Sequence, residues 1–583
     1  MPAVTCVYNL FPTLAGEISR WPEHLPRIRR MAFDWIYLNP FHYPGFSGSL
    51  YAVKDFGELH PVVRGASERP ADALVRDFAT AAAADGVRVM MDLVLNHTSK
   101  DALLTAEHPD WYVREPDGAL RSPRAVDPVD PRKTTVWGDL AEIDYSRPAL
   151  RSAQVEHWAR YVLRHAALGI GGFRCDAAYQ VPADFWQELI GRVRSEAPDT
   201  VFAAETLGCT PDEAAALSRA GFDLLFNSAK WWDFKAPWLL DQYELYRRIA
   251  PTIAFPESHD TDRLAHELQG SSPEEIEAAY KLRYLFAASF SSAVMMPMGY
   301  EFGFSKRLHV VQTRPGDWDW EARARRLDLV DFVATVNRAK AATPALRTEG
   351  LQIRVTAPHA PVVGLARFDR ADSRIATDAT LLVINPDPAR EHGCEVGPLV
   401  AAMGGRFGSF DETTPGSAGG AFAPGDVLTL RPMEARLLHA RAAEAPAEPA
   451  TDAPARAEER LHALAADRIA IEKVTPEIDG GRFPVKRVVG DALTVEADIF
   501  GDGHERIAAS VRYREADRPT WREAPMVHVD NDRWRARLPL TRNARYEYVV
   551  QAWRDLFASW REEVSKKRDA GVGVALELIE GRH

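Results

Sequence analysis

The chain has 583 residues, 46% of them hydrophobic and 26% charged, which suits a soluble globular protein of about three to five domains, fewer if one is a barrel. Lys plus Arg number 71 against 83 Asp plus Glu, and the net charge of −12 argues against a polyanionic partner such as nucleic acid. No apolar run approaches the ~20 residues of a membrane helix, the first residues lack a signal-like core, and Cys6, Cys175, Cys209 and Cys394 have no ligand-like spacing. The expectations are therefore a cytoplasmic location, no membrane association, no zinc site and no disulfide framework. In chain order, Thr5–Leu10 reads as a first strand and Asp34–Pro40 as a second, stopped by its proline, with a helix-sized segment between them. An aromatic, Gly- and Ser-rich loop follows, Phe41–Tyr51. Pro70–Ala84 has helical composition, with Leu74 and Phe78 at i and i+4 and Asp85-Gly86 ending it, and Val87–Leu93 is a third strand.

The segment from Thr98 to about Asp144 is too long and polar for an ordinary connection, and sets Trp111, Tyr112 and Trp137 among Pro, Asp and Arg. A long amphipathic helix, Ala149–Leu168, leads through Gly169-Ile170-Gly171-Gly172 to a fourth strand. Val201–Ala204, Phe222–Asn227, Thr252–Phe255 and Ala293–Pro297 complete a set of eight. The closing loop Gly299–Gly303 and the stretch Arg314–Trp320 are expected to add aromatics to the rim, with surface packing an equal alternative for Trp318 and Trp320. From about Leu351 to His439 short alternating runs separated by Gly and Pro predict an antiparallel β domain; Arg441–Arg460, almost all Ala, Glu, Pro and Asp, reads as a linker. Alternating stretches resume at Ile469, and Phe557–Lys567 reads as a helix with an apolar stripe.

Three acids stand out at strand ends. Strand alternation puts Arg174 and Asp176 on one face, and a guanidinium beside a carboxylate favours the ionised form. Glu205 ends the next apolar run and Asp260 lies after the seventh, at spacings that fit successive strand-helix units of a barrel. Met91–His97 ends an earlier run in the same manner. A pair of carboxyls on one rim is the minimum for glycoside hydrolysis, one attacking the sugar and the other protonating the leaving oxygen. A lone Arg-x-Asp is more often a structural ion pair; four polar strand ends in register favour the catalytic reading.

At these residues the chain resembles the α-amylase superfamily, glycoside hydrolase family thirteen: Asp92–His97 is similar to its first motif, Gly172–Ala178 to the second, Glu205 to the third and His259-Asp260 to the fourth. The resemblance implies a (β/α)8 TIM barrel with a small domain inserted after strand 3, in which Asp176 is the nucleophile, Glu205 the general acid/base and Asp260 the carboxylate that distorts the reacting sugar. It further implies that Tyr51, Asp92, Asn96, His97, Arg174 and His259 bind substrate. Tyr179-Gln180 stands where many members have Lys-His, and Ser258 where Asn is common, so the choice between hydrolysis and transfer stays open. No cofactor is expected; Asn96 is a candidate for a structural calcium, but no Asp-rich cluster accompanies it.

A second resemblance covers Ile469–Glu580, notably Asp479–Arg487 and Trp560–Lys567, which is similar to the N-terminal immunoglobulin-like domain of bacterial maltose-1-phosphate maltosyltransferases. There the domain precedes the catalytic barrel and helps form a homodimer, so a dimer is the implied state, and the chain reads either as a piece of a longer fusion or as a borrower of the module. The expected boundaries are 1–345 for the barrel, with the insert at about 98–148, 346–440 for an antiparallel β-sandwich, 441–465 for the linker and 466–583 for an immunoglobulin-like sandwich with a helix. The function expected first is a retaining hydrolase or transglycosylase on α-1,4-glucans or maltooligosaccharides. The second is maltosyl transfer from maltose 1-phosphate, although Asp176–Gln180 does not resemble that enzyme's nucleophile segment and no phosphate-cradling Gly or Lys cluster is evident. The third is a non-catalytic glucan-binding scaffold.

Overall fold

The computed structural model describes residues 5–126, 132, 134–404, 407–417, 419–442, 458–459, 461–462 and 468–581. Eight short strands, β1 (Cys6–Leu10), β2 (Trp35–Leu38), β3 (Arg88–Leu93), β4 (Ile170–Cys175), β5 (Val201–Ala204), β6 (Leu224–Phe226), β7 (Thr252–Ala254) and β8 (Ala293–Pro297), close a parallel barrel in sequence order. Each is buried nearly end to end because both faces are covered: alternate residues fill the lumen, and the others lie under the surrounding helices. Val7, Trp35, Tyr37, Met90, Phe226 and Phe255 belong to the lumen cluster, while Phe173, Cys175 and Phe202 pack outward among the helices.

Glycine is required on the way into β4. Gly169 sits at φ +102°, and a Cβ on Gly172 would come within 3.2 Å of the Trp35 ring and 3.1 Å of the Val201 carbonyl. The small residue lets a tryptophan share the lumen beside the strand that carries Arg174 and Asp176. The long helix before it, Pro148–Ala167, and the helix Ala71–Ala84 lie where the periodicity predicts them. After β3 the chain makes the insert from small pieces: His97–Ser99 pairs with Leu140–Glu142, and Arg124–Val126 with Thr134–Val136.

The described residues fall into two compact units, Met1–Pro446 and Ala447–His583. Within the first, an antiparallel six-stranded sheet follows the barrel, built on Val363–Phe368, Asp378–Asn385 and Glu434–Arg441, with a separate pair His392–Glu395 and Val427–Leu430. A helix not foreseen from the sequence, Val396–Ala402, buries Val396, Leu399 and Val400 against this sheet's core. The second unit stacks a four-stranded antiparallel sheet, which includes Ala492–Gly501 and Arg533–Pro539, and a three-stranded one centred on Ile507–Glu515 around Val495, Ile499, Val511 and Leu538. It continues into helices Leu556–Asp569 and Ala575–Glu580, neither of which has a buried residue. Most of the expected linker at 441–465 lies outside the described residues.

Candidate active site

Arg174 projects from β4 into the barrel mouth, where its Nη1 reaches Asp92 Oδ1 at 2.9 Å, Asp92 Oδ2 at 3.0 Å and Asp176 Oδ1 at 2.7 Å. One buried guanidinium therefore spans two carboxylates on adjacent strands. Asp92 is held further by the hydroxyls of Tyr37 and Tyr51, which donate at 2.6 and 2.8 Å, and Asn39 Nδ2 reaches both tyrosine oxygens at 3.2 and 3.0 Å. Burial pushes the Asp92 carboxyl up while Arg174 pulls it back, and the complete set of partners compensates the buried charge.

Immediately past Asp176 the chain turns sharply. Ala177 takes a left-handed conformation at φ 41°, ψ 47°, a costly choice for a residue with a Cβ, and its amide donates to Glu205 Oε2 at 2.9 Å. Leu207 N donates to Glu205 Oε1 at 2.6 Å. The peptide that follows one acid thus grips the other, which fixes the two carboxyls as neighbours. Burial raises the Glu205 carboxyl to about 7; Arg174 opposes the rise and the charge on Asp176 adds to it.

His259 Nε2 lies 2.9 Å from the Tyr51 hydroxyl, and the two rings stack with centroids 6.0 Å apart. The same nitrogen is 3.2 Å from Asp260 Oδ2. The Asp260 side chain is 60% exposed, against 13% for Asp176, so two of the three expected acids are enclosed and the third stands open at the lip. Its backbone is tied by Ser258 Oγ, which accepts from the Asp260 amide at 3.0 Å, and by Arg307, which donates to the Asp260 carbonyl. His97 is buried with neither ring nitrogen hydrogen-bonded among the described residues, and His259 Nδ1 is likewise unpaired. Burial lowers the pKa of both rings.

Asn96 Nδ2 donates to Gln180 Oε1 at 2.7 Å. Among the described residues no group of three or more His, Cys, Asp or Glu is disposed to hold a metal. One rim expectation needs correction. Tyr300 is fully buried, its hydroxyl bonded to Tyr280 O at 2.7 Å, because the Gly299–Gly303 loop folds back under the helices. Trp318 follows the packing alternative, on Arg27, Phe302 and Phe304.

Several participants were not singled out from the sequence. Tyr37 and Asn39 continue the inward alternation of β2, the same signal that found Arg174 and Asp176. Glu257 and Arg263, 2.7 Å apart and both almost fully buried, brace the loop that carries His259 and Asp260; Arg263 also donates to Met298 O at 2.7 Å and Glu257 accepts from Leu264 N at 3.2 Å. No local pattern announces that pairing.

Comparison with known proteins gives two family matches: the alpha-1,4-glucan:maltose-1-phosphate maltosyltransferase domain N/S over residues 467–583, and the glycogen debranching enzyme glucanotransferase domain over residues 3–115. The alpha-1,4-glucan:maltose-1-phosphate maltosyltransferase of Burkholderia pseudomallei is 34% identical over 98% of this chain and 50% of its own length. That of Myxococcus xanthus is 50% identical over 19% of this chain and 18% of its own length. The chain thus spans about half the length, or less, of these curated relatives. Among solved structures, an alpha-amylase from Lactobacillus plantarum aligns over 75% of this chain and 98% of its own with a TM-score of 0.57 at 21% identity. An alpha-amylase from Geobacillus thermoleovorans complexed with acarbose aligns over 76% and 100% with a TM-score of 0.58 at 16% identity. At those identities the likeness is one of fold.

Proposed function

We propose that this chain is a member of the α-amylase superfamily and a retaining enzyme acting on α-1,4-glucans or maltooligosaccharides, with transfer to a sugar acceptor as its main outcome; the amylase-like fold and the match of residues 467–583 to the maltosyltransferase domain N/S support it. Asp176 attacks the anomeric carbon while Glu205 gives its proton to the departing glycosidic oxygen. The β-glycosyl enzyme is then opened by an acceptor hydroxyl, or by water, with Glu205 taking the proton back. Arg174 holds the Asp176 carboxylate toward the sugar. Tyr51 offers a ring to the sugar face, and His97, His259 and Asp260 hold its hydroxyls, as do Asp92 and Asn96 through the network they anchor.

The observation that carries this reading is the hydrogen bond from the Ala177 amide to Glu205, which sets a carboxyl titrating at about 7 beside the peptide of Asp176. Maltosyl transfer from maltose 1-phosphate, by this chain or by a longer protein of which it is part, is the second reading, and the two relatives' names favour it. Incubation with maltooligosaccharides, with and without maltose 1-phosphate, separates the two: chain-length redistribution alone supports the first, and phosphate release coupled to elongation supports the second. Asp176→Asn or Glu205→Gln is expected to cut turnover by ~10³-fold or more in a folded protein, and undiminished activity in either rules the assignment out.

Homodimerisation through residues 467–583 and a cytoplasmic location are part of the same proposal. Leu556, Phe557, Leu576 and Ile579 are more than half exposed on the helices of that module, and no described helix is long and apolar enough to cross a membrane. Light scattering on the eluting protein reads the oligomeric state.

A further inference from the structure

Two amides lie behind the tyrosines that hold Asp92. Alternation puts Asn9 on the same face of β1 as Val7, and Asn39, just past β2, on the same face as Trp35 and Tyr37; Val7, Trp35 and Tyr37 belong to the lumen cluster. Both asparagines are completely buried. β1 pairs with β2 so that Asn9 stands across from Tyr37. Apolar side chains fill such a lumen at less cost, because every buried amide needs partners for its donors and its acceptor.

The direction of each hydrogen bond follows from donor and acceptor counts. Asn9 Nδ2 lies 3.2 Å from the backbone carbonyl of Tyr37, which only accepts, so this end of the amide is the donor; its other hydrogen goes to Asn39 Oδ1 at 2.7 Å. Asn39 therefore turns its own Nδ2 to the hydroxyls, donating to Tyr37 at 3.2 Å and to Tyr51 at 3.0 Å. Each tyrosine receives one hydrogen and gives its own to Asp92 Oδ2, at 2.6 and 2.8 Å. The Tyr51 oxygen then has one acceptor position left, so His259 Nε2, 2.9 Å away, is the donor there, and the Asp260 carboxylate, 3.2 Å from that nitrogen, calls for the same hydrogen. Arg174 Nη1, 3.4 Å from the Tyr51 oxygen, has its two hydrogens on Asp92 and Asp176. Asn9 Oδ1 is buried with no partner among the described residues, a cost that packing alone does not explain.

We infer that Asn9 and Asn39 are positioning residues that set the direction of the hydrogen bonds around Asp92, sending both tyrosine hydrogens to that carboxylate and leaving the Tyr51 oxygen to accept from His259. The inference rests on the proposed role of Asp176, because its effect on turnover runs through the guanidinium that Asp92 and Asp176 share. A fully supplied Asp92 leaves Arg174 divided between the two carboxylates. With Asn39 gone, either hydroxyl is free to turn away, Asp92 leans harder on Arg174, and the clamp on Asp176 loosens. Asn9 bonds to none of the acids; it acts by fixing which end of the Asn39 amide meets the tyrosines.

The test uses the full chain, with maltoheptaose as substrate. Asn39→Leu is expected to lower kcat about tenfold to a hundredfold and Asn9→Leu about three- to tenfold, each with KM changed less than about twofold, while Asn39→Ser, which keeps a donor, retains more kcat than Asn39→Leu. Because Asn9 acts through Asn39, adding Asn9→Leu to Asn39→Leu should cost less than about twofold more. Losses that multiply, or a lowered melting temperature with kcat unchanged, mean that the amides only pack, which overturns the inference. A second measurement needs no turnover: the imidazole nitrogen chemical shifts of isotope-labelled histidine in the wild-type chain, with the His259 signal identified as the one lost in His259→Gln. They are expected to show hydrogen on Nε2 and a bare Nδ1, and hydrogen on Nδ1 overturns the inference. If the wild-type chain leaves maltoheptaose intact, the proposed function fails while the histidine signal still decides the direction of the bonds.

Discussion

Burial raises the Glu205 carboxyl to about 7, against the pull of Arg174 and with help from the charge on Asp176. A carboxyl with a raised pKa keeps its proton below that value and loses it above, so the form competent to protonate the leaving oxygen predominates below about pH 7. Turnover limited by the first step is therefore expected to fall about tenfold per pH unit on the alkaline side of about 7, and a profile of kcat/KM against pH reads the midpoint. A profile flat to about pH 9 contradicts the role. Removing the Arg174 charge by Arg174→Met takes away the opposing influence as well as the clamp on Asp176, so the residual activity should carry its alkaline limb at higher pH. Asp92 and Asp176 are met by one and the same guanidinium nitrogen, so Arg174→Lys, whose ammonium keeps the charge and three donors, is expected to retain more activity than Arg174→Met.

At the scale of elements, the barrel strands were legible because each is an apolar run closed by a polar residue, and the lumen and helix faces each impose their own demand on alternate side chains. Arg174, Asp176, Tyr37 and Asn39 all follow from that alternation. What stayed hidden depends on partners distant in sequence. The Glu257–Arg263 brace and the Tyr51–His259 stack exist only once loops from different strands meet at one mouth. The same holds for Lys340, on the helix Val330–Ala342: it is completely buried and its ammonium donates to the carbonyls of Ala288, at 2.8 Å, Leu346, at 2.9 Å, and Ser291. Three donors meet three acceptors, so one side chain ties the end of the Pro273–Phe290 helix and the approach to β8 to the Pro344–Arg347 turn. Lys340→Met fills similar space yet leaves those carbonyls without this donor, and a loss of about 3 kcal/mol or more is expected, read as a lowered urea midpoint with unchanged slope. A shift below about 0.5 kcal/mol would mean that the carbonyls find other partners.

For the whole molecule, the question is whether the two compact units depend on each other. Residues 468–581 bury Leu493, Val495, Ile499, Val511 and Leu538 between two sheets of their own, and at about a hundred residues such a sandwich closes a sufficient core. The match to domain N/S begins at 467, next to the start of this unit's first strand, Ile469–Thr475. A fragment of residues 467–583 is therefore expected to unfold in one cooperative transition with its near-ultraviolet circular dichroism intact beforehand. Its helices expose Leu556 at 73%, Leu576 at 66% and Phe557 at 63%, so the fragment should also self-associate as its concentration rises. The complementary piece, residues 1–446, contains Asp92, Arg174, Asp176, Glu205, His259 and Asp260 together with the β domain that follows the barrel, and should keep wild-type turnover of maltooligosaccharides. Activity that disappears with the second unit and returns when the purified fragment is added would instead make the module part of the catalytic assembly, and a fragment with secondary structure but no near-ultraviolet signal would show that its core needs the rest of the chain.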